Sequence, residues 1–319
     1  MIYIVSEKND VTTDYMIEWM ISRDIEYLRL KTDVFTSSTF SLSTQQNSVK
    51  LHGREITPKD VIIHRRGKIN LIPKGIRQSQ VYGYLNNESD SVIKSIEFFL
   101  KAENSYIGSY YSENQNLKLT NLYYAQEVGL DIPKTMVTGE KNELLRFFNS
   151  NEKIITKTIR FPVNIKLGKV SYLSSKTFLV EKKHIDCLSD HFAPILVQKY
   201  IEKIYEIRVF VFDSLIFPMA IFSQTNKKTE VDYRNYDADR PNRCVPVKLP
   251  TRVITQIKEF MKLSKMNSGS IDIIVTPKHE YIFLEINPQG QIDWVSKNCN
   301  YYIEKEIIEL ITKKSNGKN

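Results

Sequence analysis

Cysteine is scarce in this chain of 319 residues: Cys187, Cys244 and Cys299 are far apart and odd in number. That excludes a disulfide framework and a CxxC metal site. Glycine and proline are also sparse, at 11 each, which removes collagen-like and low-complexity readings. No apolar run approaches the roughly 20 residues that a bilayer-spanning helix requires. The start, MIYIVSEKND, has neither a basic n-region nor a small-residue cleavage site, so the expectation is a soluble cytoplasmic protein with no membrane partner. None of the five histidines stands in a motif with a Ser or Cys nucleophile, which gives triad chemistry little support.

What is present points to a folded, multi-lobed chain. Hydrophobic residues make up 41% and charged residues 26%, enough apolar surface to offset the entropy of ordering. The length favours two or three lobes. Lys and Arg number 45 against 37 Asp and Glu, a formal charge of +8. The excess is spread along the chain without a basic arm, an RNP motif or zinc-finger spacing, which disfavours nucleic acid as a partner. The same field would attract nucleotide phosphates or an acidic peptide.

Periodicity outlines three segments. MIYIV reads as a strand, TTDYMIEWMISR as a helix and IEYLRL as a strand; the polar stretch 38–50 is a loop or hairpin, and DVIIHRR is again a strand. With Val92, Ile96, Phe99 and Leu100 at helical spacing, these predict an open α/β lobe over 1–105. LKLTNLYYAQEVG is a helix that stops at Gly129, a strand follows Pro133, and NELLRFFN is a short helix. EKIITKTI, KTFLVE and PILVQKYI are strands of a central lobe over 106–200. The remainder, 201–319, holds the strands YEIRVFVF and LIFPMAIFSQ, then TRVITQIKEFMKLS, a helix with Val253, Ile257, Phe260 and Met261 on one face. The strands SIDIIV and YIFLEIN and a last helix, YYIEKEIIELITKK, complete it. The fold class is α/β, of the α+β kind.

The chemistry concentrates in SIDIIVTPKHEYIFLEINPQGQ. Alternation along a strand puts Glu285 and Asn287 on one face and Leu284 and Ile286 on the other, and across a hairpin Asp272 joins the first pair. Two carboxylates and an amide oxygen without His or Cys suit Mg2+ rather than zinc. Mg2+ is commonly completed by phosphates and water, which implies a nucleoside triphosphate. The bland alternative is a polar hairpin edge with solvated acids. Against it stands the placing of acids within apolar strands, where an unpaired charge is costly.

The order of Lys118 ahead of a helix ending in Gly, DIPKT, IITK at Lys157, LVQKYI, EIRVFVF, SIDIIV and FLEINPQGQ resembles the ATP-grasp superfamily of carboxylate-amine ligases. More closely it resembles the peptide-maturing branch, the graspetide synthetases related to microviridin macrolactone ligases and grasp-with-spasm maturases; IIHRRG is similar to that branch's RR-containing strand. The resemblance implies an ATP-grasp fold, with ATP clasped between antiparallel sheets. It implies that Lys118 and Lys157 reach the nucleotide phosphates, that the hinge Gln198, Lys199, Tyr200 and Ile201 reads adenine through its backbone, and that Glu206 binds the ribose hydroxyls. Arg208 then lies at the phosphates and the acyl phosphate, Asp232 and Arg234 hold the peptide, and Asp272, Glu285 and Asn287 hold Mg2+.

Residue chemistry leaves alternatives beside these roles. Glu206 and Arg208 share a strand face, as a surface cross-strand pair also would. Asp232 and Arg234 would equally suit a solvated loop. Arg65 and Arg66 are candidate anion or substrate contacts. The stretch TIRFPVNIKLGK departs from relatives with a Gly-rich phosphate loop, having only Gly168, which leaves phosphate cover to Arg160, Lys166, Lys169 or moving backbone.

The implied activity is an ATP-dependent ligase that activates side-chain carboxylates of a ribosomal precursor peptide, with leader and core, and closes ester or amide crosslinks with Ser, Thr or Lys. Lys227, Lys228, Arg234, Arg240 and Arg243 of the loop QTNKKTEVDYRNYDADRPNR are candidates to attract an acidic core or leader. The rivals are a ligase acting on a small molecule or protein terminus, and a non-catalytic ATP-grasp peptide-binding module. Self-association into a homo-oligomer is left open.

Overall fold

The computed structural model describes the chain except residues 33–40, 46–47, 52, 58, 103–105, 115, 161–163, 169, 174–176, 236 and 317–319. The boundary expected at 105 and part of the polar stretch 38–50 therefore lie outside the described residues.

The chain opens with β1 (Ile2–Ser6), α1 (Val11–Ile21) and β2 (Tyr27–Lys31). β1 is buried along its whole length, as expected of an interior parallel strand. A small antiparallel sheet follows, β3 (Ser41–Ser43), β4 (Ser48–Leu51) and β5 (Arg54–Ile56). β6 (Val61–His64) then pairs parallel with β1, and α2 (Ser79–Ala102) buries Ile93, Ile96 and Leu100. β7 (Tyr106–Ile107) closes the first sheet in the order β2-β1-β6-β7.

After α3 (Tyr110–Asn114), α4 (Lys118–Glu127) ends at Gly129, whose φ of +76° is one that glycine adopts at little cost. The central segment holds β8 (Thr135–Glu140), α5 (Lys141–Asn149), β9 (Ile154–Lys157), β10 (Asn164–Leu167), β11 (Val170–Leu173), β12 (Phe178–Leu179), α6 (Lys182–Asp186) and β13 (His191–Lys199). β12-β9-β13-β8 form an antiparallel sheet, and β10 and β11 pair with each other. Part of the Gly-poor stretch after Lys157 thus supplies one arm of this hairpin: Lys166 lies on β10, and residues 161–163 and Lys169 lie outside the described residues.

The last segment builds the sheet that carries the chemistry. It comprises β14 (Tyr205–Phe212), β15 (Leu215–Phe222), β16 (Arg243–Pro246), α7 (Thr251–Leu263), β17 (Ser268–Val275), β18 (Tyr281–Asn287), α8 (Asp293–Cys299) and α9 (Ile303–Asn316), with strand order β16-β15-β14-β17-β18. One face of the sheet packs Val209, Ile271 and Phe283 against α7 and α4 through Ile257, Phe260 and Leu122. On the other face, Phe210 and Phe212 join Ile2, Ile4, Met16, Ile303 and Ile307 in one core that fuses the first and last segments. Glu206 and Arg208 belong to that second face by alternation, so one row of β14 is polar at one end and core at the other.

Candidate functional site

Register places the site. Arg208 on β14 lies directly opposite Asp272 on β17, which lies opposite Glu285 on β18. The register of β17 and β18 shifts between Asp272 and Ile273, so Leu284 is an extra residue on β18. This bulge corrects one expectation: Leu284 does not turn away from Glu285 but lines the same cleft, while Ile286 enters the core as expected. The cleft encloses about 580 Å3 counting its open mouth.

Arg208 and Asp272 form a buried pair, Nη1 to Oδ1 at 3.1 Å. Tyr233 completes it: its hydroxyl accepts from Arg208 Nη1 at 2.6 Å and donates to Asp272 Oδ1 at 3.4 Å. Trp294 of α8 backs both, with the guanidinium 5.8 Å from its ring centroid and the Tyr233 ring stacked at 6.2 Å. Burial works against the charge on Arg208, but Asp272 and Tyr233 outweigh it and hold the group further towards protonation. Burial pushes the Asp272 carboxyl up despite Arg208. The alternative of a surface cross-strand pair falls, because Glu206 and Arg208 are both buried.

Glu285 is the meeting point of three elements far apart in sequence. Lys118, the first residue of α4, and Lys157, the last of β9, approach its Oε2 at 3.4 and 3.9 Å, and Arg234 Nη1 approaches Oε1 at 3.0 Å. Lys118 Nζ is steadied by donating to the Thr158 carbonyl at 2.8 Å. Burial alone would raise the Glu285 pKa; Lys157, Arg234 and Lys118 reverse that and bring it down to about 2. Lys157 is pushed down, chiefly by its own burial.

Asp232 and Arg234 form a forked pair, Nε to Oδ1 and Nη2 to Oδ2 at 2.8 Å each, and Thr177 donates to Asp232 Oδ2 at 2.8 Å. Burial works to raise the Asp232 pKa, but the Arg234 fork and Thr177 bring it down. Asp232 is buried, whereas the Arg234 side chain is 48% exposed and bridges Asp232 to Glu285. The solvated-loop alternative fails for Asp232. Of the loop cations expected to attract a peptide, Arg234 is paired with Asp232 and Glu285, Lys228 lies 3.9 Å from Asp237, and Arg243 sits over Phe222. Lys227 and Arg240 are exposed.

At the other end of the cleft, Glu206 accepts from Lys203 Nζ at 2.7 Å and Ser223 Oγ at 2.8 Å, and burial pushes its carboxyl up. Gln198 is buried and donates to Thr135 Oγ1 at 2.8 Å. The N–H groups of Lys199 and Tyr200 already donate to Lys134 and Lys153 carbonyls, at 2.8 and 2.9 Å. Among the described residues the Ile201 N–H makes no hydrogen bond, so it is the hinge donor open to a ligand.

Lys203, Tyr233, Trp294, Thr177 and Ser223 escape the sequence reading. The one available signal was Tyr233, lying between Asp232 and Arg234 in DYR. Arg65 is a correction: it is buried, and Nη1 and Nη2 donate to the carbonyls of Gln289 and Gly290, so it is not free to hold an anion. Arg160 lines a separate apolar cavity beside α6.

Among the described residues no cluster of three or more His, Cys, Asp or Glu side chains could hold a metal. Two facing carboxylates with Asn287 two residues on are instead what Mg2+ uses when phosphates and water complete its shell. Glu285 Oε2 is buried and faces the Lys118 and Lys157 ammonium groups without an aligned hydrogen bond, so a cation would take it in exchange for those lysines. Asn287 is exposed, and its Oδ1 accepts the Gln289 N–H at 3.1 Å.

A model of the RimK-like ATP-grasp domain matches residues 116–311. Among solved structures, the chain is similar to a RiPP-associated ATP-grasp ligase of Chryseobacterium gregarium, in complex with ADP and a leader and core peptide. Identity is 23%, coverage 100% of this chain and 97% of that one, and the TM-score 0.77. The macrocyclase MdnC of Microcystis aeruginosa, bound with precursor peptide MdnA, is 25% identical over 98% of this chain and 99% of its own, with a TM-score of 0.75. The ATP-grasp ligase PsnB, complexed with minimal precursor, Mg and ADP, is 17% identical over 98% of this chain and 97% of its own, with a TM-score of 0.77. No curated protein sequence matches the chain.

Proposed function

The chain belongs to the RimK-like ATP-grasp family, and from that premise we propose that it is an ATP-dependent ligase that crosslinks a ribosomal precursor peptide within itself. The observation that carries this is the row Arg208, Asp272 and Glu285 across three strands, met at Glu285 by Lys118 and Lys157. Likeness over almost the full length to a macrocyclase bound to its precursor supports the peptide as substrate.

In this reading the three lobes are 1–105, 106–200 and 201–319, and ATP lies in the cleft between the last two. The Ile201 N–H meets the adenine edge, Glu206 the ribose hydroxyls, and Lys118 and Lys157 the phosphates. Asp272, Glu285 and Asn287 hold Mg2+, which supplies charge neutralisation at the phosphates. A peptide carboxylate oxygen attacks the γ-phosphorus, the bond to the β-phosphate oxygen breaks, and ADP leaves. The peptide's Ser or Thr hydroxyl, or Lys amine, then attacks the acyl-phosphate carbonyl, giving an ester or amide, phosphate and a proton.

Arg208 faces the transferring group. Tyr233, Asp272 and Trp294 fix its guanidinium in advance, so its fork needs no reorganisation as charge develops. Asp232 orients Arg234 towards the carboxylate being activated. Incubation with ATP, Mg2+ and the precursor encoded beside the gene should give products lighter by about 18 Da per bond, because each closure is a net dehydration. Unchanged precursor mass, with ADP release on a free amino acid or small diacid, would favour the small-substrate ligase.

A further inference from the structure

The hairpin that carries Asp272 and Glu285 is tied at its open end to the first segment of the chain. Asn267, just before β17, accepts the Gly108 N–H at 2.8 Å and donates to the Tyr106 carbonyl at 3.0 Å. At the end of β18, Arg65 reaches across from the end of β6. It is 5% exposed; Nη1 donates to the Gln289 carbonyl and Nη2 to the Gly290 carbonyl at 3.1 Å. Its Nε lies 3.6 Å from Oδ2 of Asp10, which is 6% exposed and accepts Thr13 Oγ1 at 2.6 Å at the start of α1. One planar guanidinium thus joins a carboxylate of the first lobe to two successive carbonyls of the last.

The turn is gripped from below as well. The Gln289 N–H donates to Asn287 Oδ1 at 3.1 Å and the Gly290 N–H to the Asn287 carbonyl at 3.2 Å. Gly290 has φ +51°, and a Cβ there would fall 2.7 Å from Ser270 Oγ and 3.1 Å from the Phe210 ring. The carbonyls of this turn are fixed by the first lobe, and its N–H groups by Asn287.

We propose that Arg65, anchored on Asp10, is a positioning residue for the metal site: by clamping the turn after Asn287 it sets Asn287 and Glu285 against Asp272. The inference rests on the nucleotide and Mg2+ reading above. Mg2+ tolerates little departure from octahedral geometry, so loosening the turn acts on metal affinity. The hinge at Ile201 lies on another element, so nucleotide binding without metal is untouched. An arginine that merely glued two lobes together would change thermal stability alone.

The test uses the whole protein with Mn2+ as a paramagnetic probe for the Mg2+ site, counting free ion by electron paramagnetic resonance with ADP present; ADP binding in EDTA is measured by calorimetry. Arg65→Ala should weaken Mn2+ binding about tenfold, or about 1.4 kcal/mol, with ADP affinity in EDTA within about twofold of wild type. Arg65→Lys, which keeps the charge but not the fork, should recover part of the loss, and Asp10→Asn should fall between Arg65→Ala and wild type. If Arg65→Ala does not fold, a loss of roughly threefold or more in Arg65→Lys carries the inference. Mn2+ affinity equal to wild type in the folded Arg65 variants would overturn it, as would an equal loss of metal-free ADP binding. Wild-type protein that binds ADP but no Mn2+ would sink the metal reading and this inference together, an outcome distinct from wild-type affinity in the variants.

Discussion

Replacing Glu285 by Gln removes the one anion shared by Lys118, Lys157 and Arg234, and the structure sets the size and pH dependence of the effect. The Glu285 carboxyl has a pKa of about 2 in the fold against an ordinary 4.5, a difference equivalent to about 3 kcal/mol in favour of the folded state at neutral pH. Gln imitates the protonated acid, so the variant should be less stable by about that amount at pH 7, or roughly 4 °C in Tm for a chain of this size. Because the folded pKa is depressed, the contribution is complete above 4.5 and is lost as pH falls towards 2. The gap between wild type and variant should therefore close over that window.

The same variant separates repair from catalysis. ADP phosphates would supply the anion that the Lys118, Lys157 and Arg234 cluster has lost, so ADP in EDTA should raise the Tm of Glu285→Gln more than that of wild type. Metal-dependent turnover should be abolished. Thermal denaturation at pH 2.5, 4 and 7, with and without ADP, measures all of this except turnover. A stability gap that is constant across those pH values would refute the reasoning, and so would an equal ADP-induced rise in both proteins.

Two further outcomes follow from the cleft. Arg208→Ala should lose turnover far more than affinity for a non-hydrolysable ATP analogue, because its contact strengthens as charge develops on the transferring phosphoryl; equal losses in turnover and calorimetric affinity would make it a ground-state ligand only. Lys203→Met strands the buried Glu206 carboxylate at a cost of about 3–5 kcal/mol. With the Glu206 pKa raised by burial, the variant should lose stability as pH climbs above 4.5, and a flat denaturation profile from pH 4 to 7 would contradict it.

The alternation in SIDIIV and YIFLEIN was enough to bring Asp272 and Glu285 together, because a strand's period of two fixes facing without tertiary information. It failed at Leu284, since a bulge changes facing locally and leaves no mark in an apolar-polar pattern. The hairpin β10–β11 went unread: NIKL and VSYL flank Gly168, but the stretch reads only as a Gly-poor replacement for a phosphate loop. The partners of the chemistry were not legible. Lys203, Tyr233 and Trp294 reach Glu206, Arg208 and Asp272 through loop paths and helix docking, and Arg65 meets Gln289 across 224 positions. Likewise α1 and α9 read as helices, but no spacing says that they share one core.

The paired charges of the cleft explain why the basic excess of the chain should not be read as a phosphate trap. Lys118, Lys157, Lys203, Arg208 and Arg234 face Glu206, Asp232, Asp272 and Glu285, so the site is close to neutral before any ligand arrives. A nucleotide entering alone would take cations away from buried carboxylates and leave those carboxylates unpaired, which is unfavourable in a desolvated cleft. Under the proposed roles a nucleotide entering with divalent cations would exchange partners without that penalty: phosphates would take the lysines, and the cations would take Asp272 and Glu285. Nucleotide and metal binding should then be strongly coupled, and by reciprocity each should tighten the other by the same factor. Under the proposed roles Glu285 is where both exchanges would begin, since it is the only one of the four carboxylates held by both Lys118 and Lys157.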